Sequence, residues 1–155
     1  MPHLAAAQEA ANRIPNAAFE GSQDATGLPE GWHRDTRKIP GGEPSRVNFC
    51  RVTGHPGKLL ALEGGPDRNG RVWCRIKHIR PRTDYLLEFV VYRPKLTNGV
   101  YLEVEIFGHR YLINQHFSSG RVQPIFLRIN SGTTRGTTVL TISNPHREVL
   151  VFGSP

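Results

Sequence analysis

From residue 46 onward, apolar and polar residues alternate with a period of two, in short runs broken by turn residues. The stretch Arg71, Val72, Trp73, Cys74, Arg75, Ile76, Lys77 shows the pattern best. Such alternation marks strands with one face buried. It predicts strands over residues 46–53, 58–63, 71–79, 85–93, 100–107, 111–117, 123–129, 137–143 and 148–152. The breaks between them carry turn chemistry: the run Gly64 to Gly70 with Pro66, Asp67 and Asn69, then Pro94, Thr97-Asn98-Gly99 and Gly108-His109-Arg110. No helical periodicity persists beyond a turn or two, and no segment repeats. The pattern therefore describes an all-β domain, a sandwich or barrel of antiparallel strands, over residues 14–155. The Ala-rich residues 1–13 read as a separate flexible arm, frayed or briefly helical.

Parity sorts the central strands into two faces, because successive strand residues point to opposite sides. Val72, Cys74 and Ile76 form a core set, as do Leu87, Phe89 and Val91, and Leu102, Val104 and Ile106. The opposite set mixes Trp73, Tyr92, Tyr101 and Phe107 with Arg71, Arg75, Lys77, Glu88, Glu103 and Glu105. Aromatic rings suit the C–H faces of sugars, and charged side chains suit their hydroxyl rims. An ordinary sheet surface carries the same residue types, because aromatics and cross-strand Arg–Glu pairs favour strands.

Composition narrows the field. The chain has 155 residues with 16 Gly and 12 Pro, the size of one domain able to bury its own core. The net charge of +7 favours acidic partners, but the basic residues are spread from Arg13 to Arg147 and are densest from Arg71 to Arg82. Nucleic-acid binding would rest on charge alone. No run approaches the ~20 apolar residues of a membrane span, and the N-terminus lacks the layout of a signal peptide. Cys50 and Cys74 allow one disulfide or two thiols and are too few for a zinc site. The seven histidines show no ligand spacing, and Gly54-His55-Pro56-Gly57-Lys58 lacks the Ser or Thr and the helix of a phosphate loop. Glu103 and Glu105 stand about 7 Å apart by strand rise. Paired carboxylates serve glycosidases, but no deep cleft is indicated around these two, and Arg75 and Lys77 are expected to neutralise them.

The opening of the domain is more specific. Asn16-Ala17-Ala18-Phe19-Glu20 is followed by Gly27-Leu28-Pro29-Glu30-Gly31-Trp32. Pro29 fixes its own φ and biases Leu28 toward extended backbone, while Gly27 and Gly31 permit sharp turns. The loop should fold back so that Phe19 and Trp32 pack together, closing one end of the sandwich. This opening resembles that of carbohydrate-binding modules of the galactose-binding-like jelly-roll superfamily, many of which begin Asn-x-x-Phe-Glu, then a variable loop, then Gly-x-Pro-x-Gly-Trp. The resemblance extends over roughly residues 16–152. It includes the strand, Pro-containing turn and Tyr-initiated strand at 71–92, and the Thr-rich penultimate strand at 137–143. Two departures stand out: Val122 lies near where the family often has Trp, and Gly153-Ser154-Pro155 follows the last strand where the family has Asp.

The resemblance implies a β-sandwich of jelly-roll topology acting as a non-catalytic binder of poly- or oligosaccharide, within a larger secreted, periplasmic or cell-surface protein. It implies a glycan site on the concave sheet face or on the loop rim at one end. On the concave face the candidate ligand-binding residues are Trp73, Arg75, Lys77, Tyr92, Tyr101, Glu103 and Glu105. Charge on the strand at 71–77 would favour an acidic polysaccharide. The family's structural calcium would use Glu20, although the usual Asp partner is missing. A protein-interaction or assembly module on the same fold is the alternative.

Overall fold

The computed structural model describes residues 3–6, 13–15, 17–19, 28–34, 46–64, 70–94, 100–113, 121–146 and 149–154. Its strands are β1 (His3–Ala6), β2 (Trp32–Arg34), β3 (Arg46–Cys50), β4 (Leu59–Glu63), β5 (Gly70–Ile79), β6 (Asp84–Tyr92), β7 (Leu102–Ile106), β8 (His109–Ile113), β9 (Gln123–Asn130), β10 (Gly136–Asn144) and β11 (Val149–Gly153). All pairings are antiparallel. One sheet runs β2-β5-β10-β7-β8. The other contains β1, β6, β11, β4 and β3, with β9 also paired to β6. From β4 to β11 the chain passes repeatedly between the two sheets, as the jelly-roll expectation requires.

The core forms between the sheets from the apolar set of each strand. Val72, Cys74 and Ile76 of β5 face Leu87, Phe89 and Val91 of β6, with Leu102, Val104 and Ile106 of β7 in the same cluster. The described ends of the opening segment meet as the sequence predicts. Phe19 and Trp32 are fully buried, with ring centroids 5.4 Å apart in an edge-to-face arrangement, and Phe152 closes the triad 5.7 Å from Phe19. Such ring pairs add about 0.5–1.5 kcal/mol beyond their area burial. The indole Nε1–H of Trp32 donates to the Pro15 carbonyl at 3.1 Å, so the buried polar atom is satisfied.

Within the arm expected at 1–13, His3–Ala6 is a strand, neither frayed nor helical, and residues 1, 2 and 7–12 lie outside the described residues. One edge of β6 is filled along its length by β9. On the other edge β11 reaches Val90 to Tyr92, and β1 takes Tyr85 to Glu88. Those backbone groups would otherwise lack ladder partners, which is the physical reason for the strand.

Each end of the sandwich is pinned. At one end, Asn144 Nδ2 of β10 donates to the Leu62 carbonyl of β4 at 2.8 Å, joining the two sheets. The Gly64 N–H donates to the His146 carbonyl at 2.9 Å. A Cβ on Gly64 would overlap the Asn144 carbonyl oxygen, so the crossing requires glycine. At the other end the β5–β6 turn and the β9–β10 turn are locked together. The Arg82 N–H donates to the Gly132 carbonyl (2.7 Å), the Ser131 N–H to the Thr83 carbonyl (2.9 Å), and Ser131 Oγ to the Arg80 carbonyl (2.6 Å).

The cysteines are free thiols. Cys74 points into the core from β5. Cys50, at the end of β3, packs on the outer face of the other sheet. A disulfide between them would have to cross a sheet. Burial pushes the Cys74 thiol up from the ordinary 9.0 to about 12, and burial also raises Cys50.

Candidate functional site

Alternation on β5 places Arg71, Trp73, Arg75 and Lys77 on the outer face of the five-stranded sheet, as the sequence predicts. The neighbouring strands bring partners the sequence could not assign. Cross-strand register aligns one residue from every strand of this sheet: His33 of β2, Trp73 of β5, Thr141 of β10, Glu105 of β7 and Arg110 of β8. The adjacent row runs Arg71, Ser143, Glu103 and Leu112. Arg71 Nε donates to Ser143 Oγ at 2.9 Å, which ties the guanidinium to the row.

Trp73 is half-buried on the second strand of this face and is not a bare platform. The His33 ring stacks on it, centroids 4.3 Å apart and 27° between planes. The Arg75 guanidinium carbon lies 5.8 Å from its ring centre, within cation–π range. His33 and Arg75 are both exposed. A sugar would meet the remaining surface of the indole, or displace one of these neighbours. Thr141, Glu105 and Arg110 then offer a hydroxyl, a carboxylate and a guanidinium in line across the strands, a set suited to hydrogen-bonding hydroxyl groups.

The expected set is only partly brought together. Trp73, Arg75, Lys77, Glu103 and Glu105 share the outer face of the five-stranded sheet. Tyr101 is on the same side, just before β7. It lies four residues from Glu105, about 13 Å along the strand, and packs edge-to-face against His146 at 4.5 Å. Tyr92 is a correction. It belongs to β6 in the other sheet, and its ring packs with Val90, Leu59 and Val151 on that sheet's outer surface. Parity was right for its strand, but the strand joins the opposite layer. Phe107 is a second correction. It has φ 53° and, with Gly108 at φ 75°, forms a two-residue hairpin turn. That turn swings the ring back against the core, 5.7 Å from Tyr85. The glutamates also pair differently. Glu105 lies opposite Arg110, while Arg75 lies opposite Val139, with β10 between it and β7. His33, Thr141 and Arg110 were missed because cross-strand neighbours at long sequence separation leave no local pattern.

Glu105 is exposed and Glu103 half-buried on this open face, not in a deep enclosed cleft. Among the described residues no group of three His, Cys, Asp or Glu could hold a metal ion. Glu20 lies outside the described residues. Where the resembled modules place Asp, this chain has Gly153 and Ser154, and the Ser154 carbonyl already accepts a hydrogen bond from His55 Nε2 at 2.7 Å. His55 Nδ1 accepts from the Gly57 N–H at 3.2 Å, which puts the ring proton on Nε2.

No protein-family model matches the chain, and no curated protein matches it by sequence. Solved structures match its shape. The enzymatically active domain of tailspike protein 4 from bacteriophage CBA120 superimposes with a TM-score of 0.65 at 8% identity over 92% of this chain; the chain spans 20% of that one. The C-terminal family 22 carbohydrate-binding module of Clostridium thermocellum xylanase 10B matches with a TM-score of 0.51 at 12% identity, over 88% of this chain and 87% of that one. A carbohydrate-binding module specific for non-crystalline cellulose, CBM28, gives 0.50 at 13% identity, over 86% and 92%. At these identities the likeness is one of fold. The chain has the antiparallel jelly-roll β-sandwich fold of carbohydrate-binding modules.

Proposed function

We propose that this chain is a non-catalytic carbohydrate-binding module that takes a poly- or oligosaccharide on the outer face of its five-stranded sheet. The observation that carries the reading is Trp73, half-buried between His33 and Thr141 in a row that continues to Glu105 and Arg110. In this reading the aromatic pair covers the C–H face of a sugar ring. Glu103, Glu105, Thr141 and Arg110 hydrogen-bond its hydroxyls. Arg71, Arg75 and Lys77 favour a chain with acidic groups. No covalent step is involved. The module works outside the cell or at its surface, as one part of a larger protein. Affinity electrophoresis against a panel of polysaccharides tests it. Wild-type protein should be retarded by at least one of them, and Trp73→Ala should abolish the retardation while keeping the thermal unfolding transition. Retention unchanged in Trp73→Ala would sink the proposed face.

One observation favours a second reading, a protein-assembly module. Phe126 is 59% exposed and Leu86 is 39% exposed. They are diagonal neighbours on the outer face of β9 and β6, since Glu88 pairs Phe126 and Leu86 pairs Arg128. Absence of any glycan binding across a broad array, together with loss of a protein contact in Phe126→Ser, would favour it.

A further inference from the structure

The end of the sandwich opposite the Asn144 pin gathers cations. Lys77, His78, Arg80 and Arg82 come from the end of β5 and its turn into β6, and Arg135 comes from the β9–β10 turn; all five are exposed. Backbone pairing shows that they adjoin. Ile79 pairs with Gly136, next to Arg135, and the Arg82 N–H is bonded to the Gly132 carbonyl at 2.7 Å. Within these two turns, residues 77–84 and 130–136, the one carboxylate is Asp84, and it accepts from Asn130 Nδ2 at 2.7 Å.

The local backbone presents these side chains at some cost. Between Ile76 and Ile79, β5 carries two residues, Lys77 and His78, against Thr137 alone on β10. This is a β-bulge, and it turns both side chains outward. His78 sits at φ 62° and Arg82 at φ 52°. Glycine would adopt this left-handed region without penalty, whereas larger side chains rarely do. Both positions nonetheless carry basic residues. The turns beneath are fixed in advance. Ser131 Oγ donates to the Arg80 carbonyl and accepts from the Thr83 N–H (3.0 Å), and the Tyr85 hydroxyl accepts from the Arg80 N–H (3.0 Å). A preorganised cationic surface loses little ordering entropy on binding.

From this we infer that the two turns form an anion subsite for the carboxylate or sulfate groups of an acidic polysaccharide. Lys77 lies four residues beyond Trp73 on the same strand and the same face, about 13 Å away. A glycan laid along β5 from Trp73 would bring its substituents over Lys77, Arg82 and Arg135. The inference rests on the reading of the Trp73 face as a glycan site. The turns themselves carry no Phe, Tyr or Trp ring on which a nucleic-acid base could stack, so a polysaccharide is favoured over single-stranded nucleic acid.

The test compares the wild type, Trp73→Ala, and the triple variant Arg80→Ser/Arg82→Asn/Arg135→Ser, in which Asn keeps the left-handed backbone accessible. Unchanged thermal transitions establish that the variants fold. The probes are polygalacturonate, its carboxyl-reduced neutral form, dextran sulfate, dextran, duplex DNA and phosphatidylglycerol vesicles. The triple variant should bind the two acidic polysaccharides about tenfold more weakly at about 50 mM salt, with the difference largely gone by about 300 mM. Its binding to the neutral polymers should equal that of the wild type. Wild-type affinity for both acidic polymers in the triple variant overturns the inference, as does no wild-type binding to either. Tighter binding to DNA or vesicles than to the acidic polysaccharides, lost in the same triple variant, also overturns it. If Trp73→Ala binds every polymer like the wild type while the triple variant is impaired, the Trp73 platform fails and the anion subsite stands.

Discussion

The outer faces of the two sheets are built from similar strands yet differ in character. On the six-stranded sheet, Leu59, Val90 and Val151 are buried although they point away from the core. Val52, Tyr92, Val122 and Cys50 pack against them. This is a second apolar cluster, and Tyr92 belongs to it. On the five-stranded sheet the corresponding surface holds Trp73 among His33, Arg75, Thr141, Glu103, Glu105 and Arg110, with the charged groups largely in water. The first face is packed with apolar side chains, and the second mixes the Trp73 ring with largely exposed polar and charged groups. An aromatic residue at an outward strand position can thus be a packing element or a candidate platform, according to the layer its strand joins.

The contrast is open to direct attack. The largest effect is expected at Leu59→Ala. Removing a fully buried side chain should cost about 2–4 kcal/mol in chemical denaturation, with polysaccharide retention unchanged in the protein that remains folded. Trp73→Ala should do the reverse: about tenfold or greater loss of retention with about 1 kcal/mol or less in stability. If Trp73→Ala destabilises as much as Leu59→Ala, the two faces are alike and the functional assignment of the second fails. Next comes Tyr92→Ala, which should lower stability by about 1–2 kcal/mol and leave glycan retention intact. Weakened binding in that variant would contradict its placement on the opposite layer. Glu105→Gln and Arg110→Ala should each weaken binding by about two- to fivefold, the scale of one hydrogen bond.

The thiols act only at alkaline pH. Cys74 has its ionisation raised by burial to about 12, above the ordinary 9.0. The unfolded thiol therefore loses its proton at lower pH than the folded one. The stabilisation is fully present below about pH 9 and is lost progressively toward pH 12. Cys74→Ala should flatten that alkaline slope in pH-dependent unfolding, and native Cys74 should react with a thiol reagent more slowly than Cys50 at pH 8. Equal rates would mean that Cys74 is not enclosed.

Much of the fold was legible in the sequence. Period-two alternation identified β5, β6 and β7 and their core sets, because the pleat forces successive side chains to opposite faces whatever else the chain does. The opening motif placed Phe19 against Trp32, since a proline and two glycines leave that loop few ways to run. Within the Ala-rich start, the strand at His3–Ala6 departs from the frayed or helical arm expected there. Residues of low strand propensity pair there because β6 presents an open edge, and no local preference reveals such an edge. The tight connection expected at Gly108-His109-Arg110 falls one residue earlier, at Phe107-Gly108, and its left-handed backbone carries the Phe107 ring away from the face its parity implied.

The candidate site divides along the same line. The residues within one strand, Trp73, Arg75 and Lys77, were found from alternation alone. Their neighbours His33, Thr141 and Arg110 lie 40, 68 and 37 positions away from Trp73 in the chain, and only the register of β2, β10 and β8 brings them alongside. By itself the sequence determined which side chains point inward, because that follows from backbone geometry within each strand. The tertiary structure decided which sheet each strand enters and which residues lie abreast. Those are set by long-range pairing and core packing, and they sent Tyr92 to one surface of the molecule and Trp73 to the other.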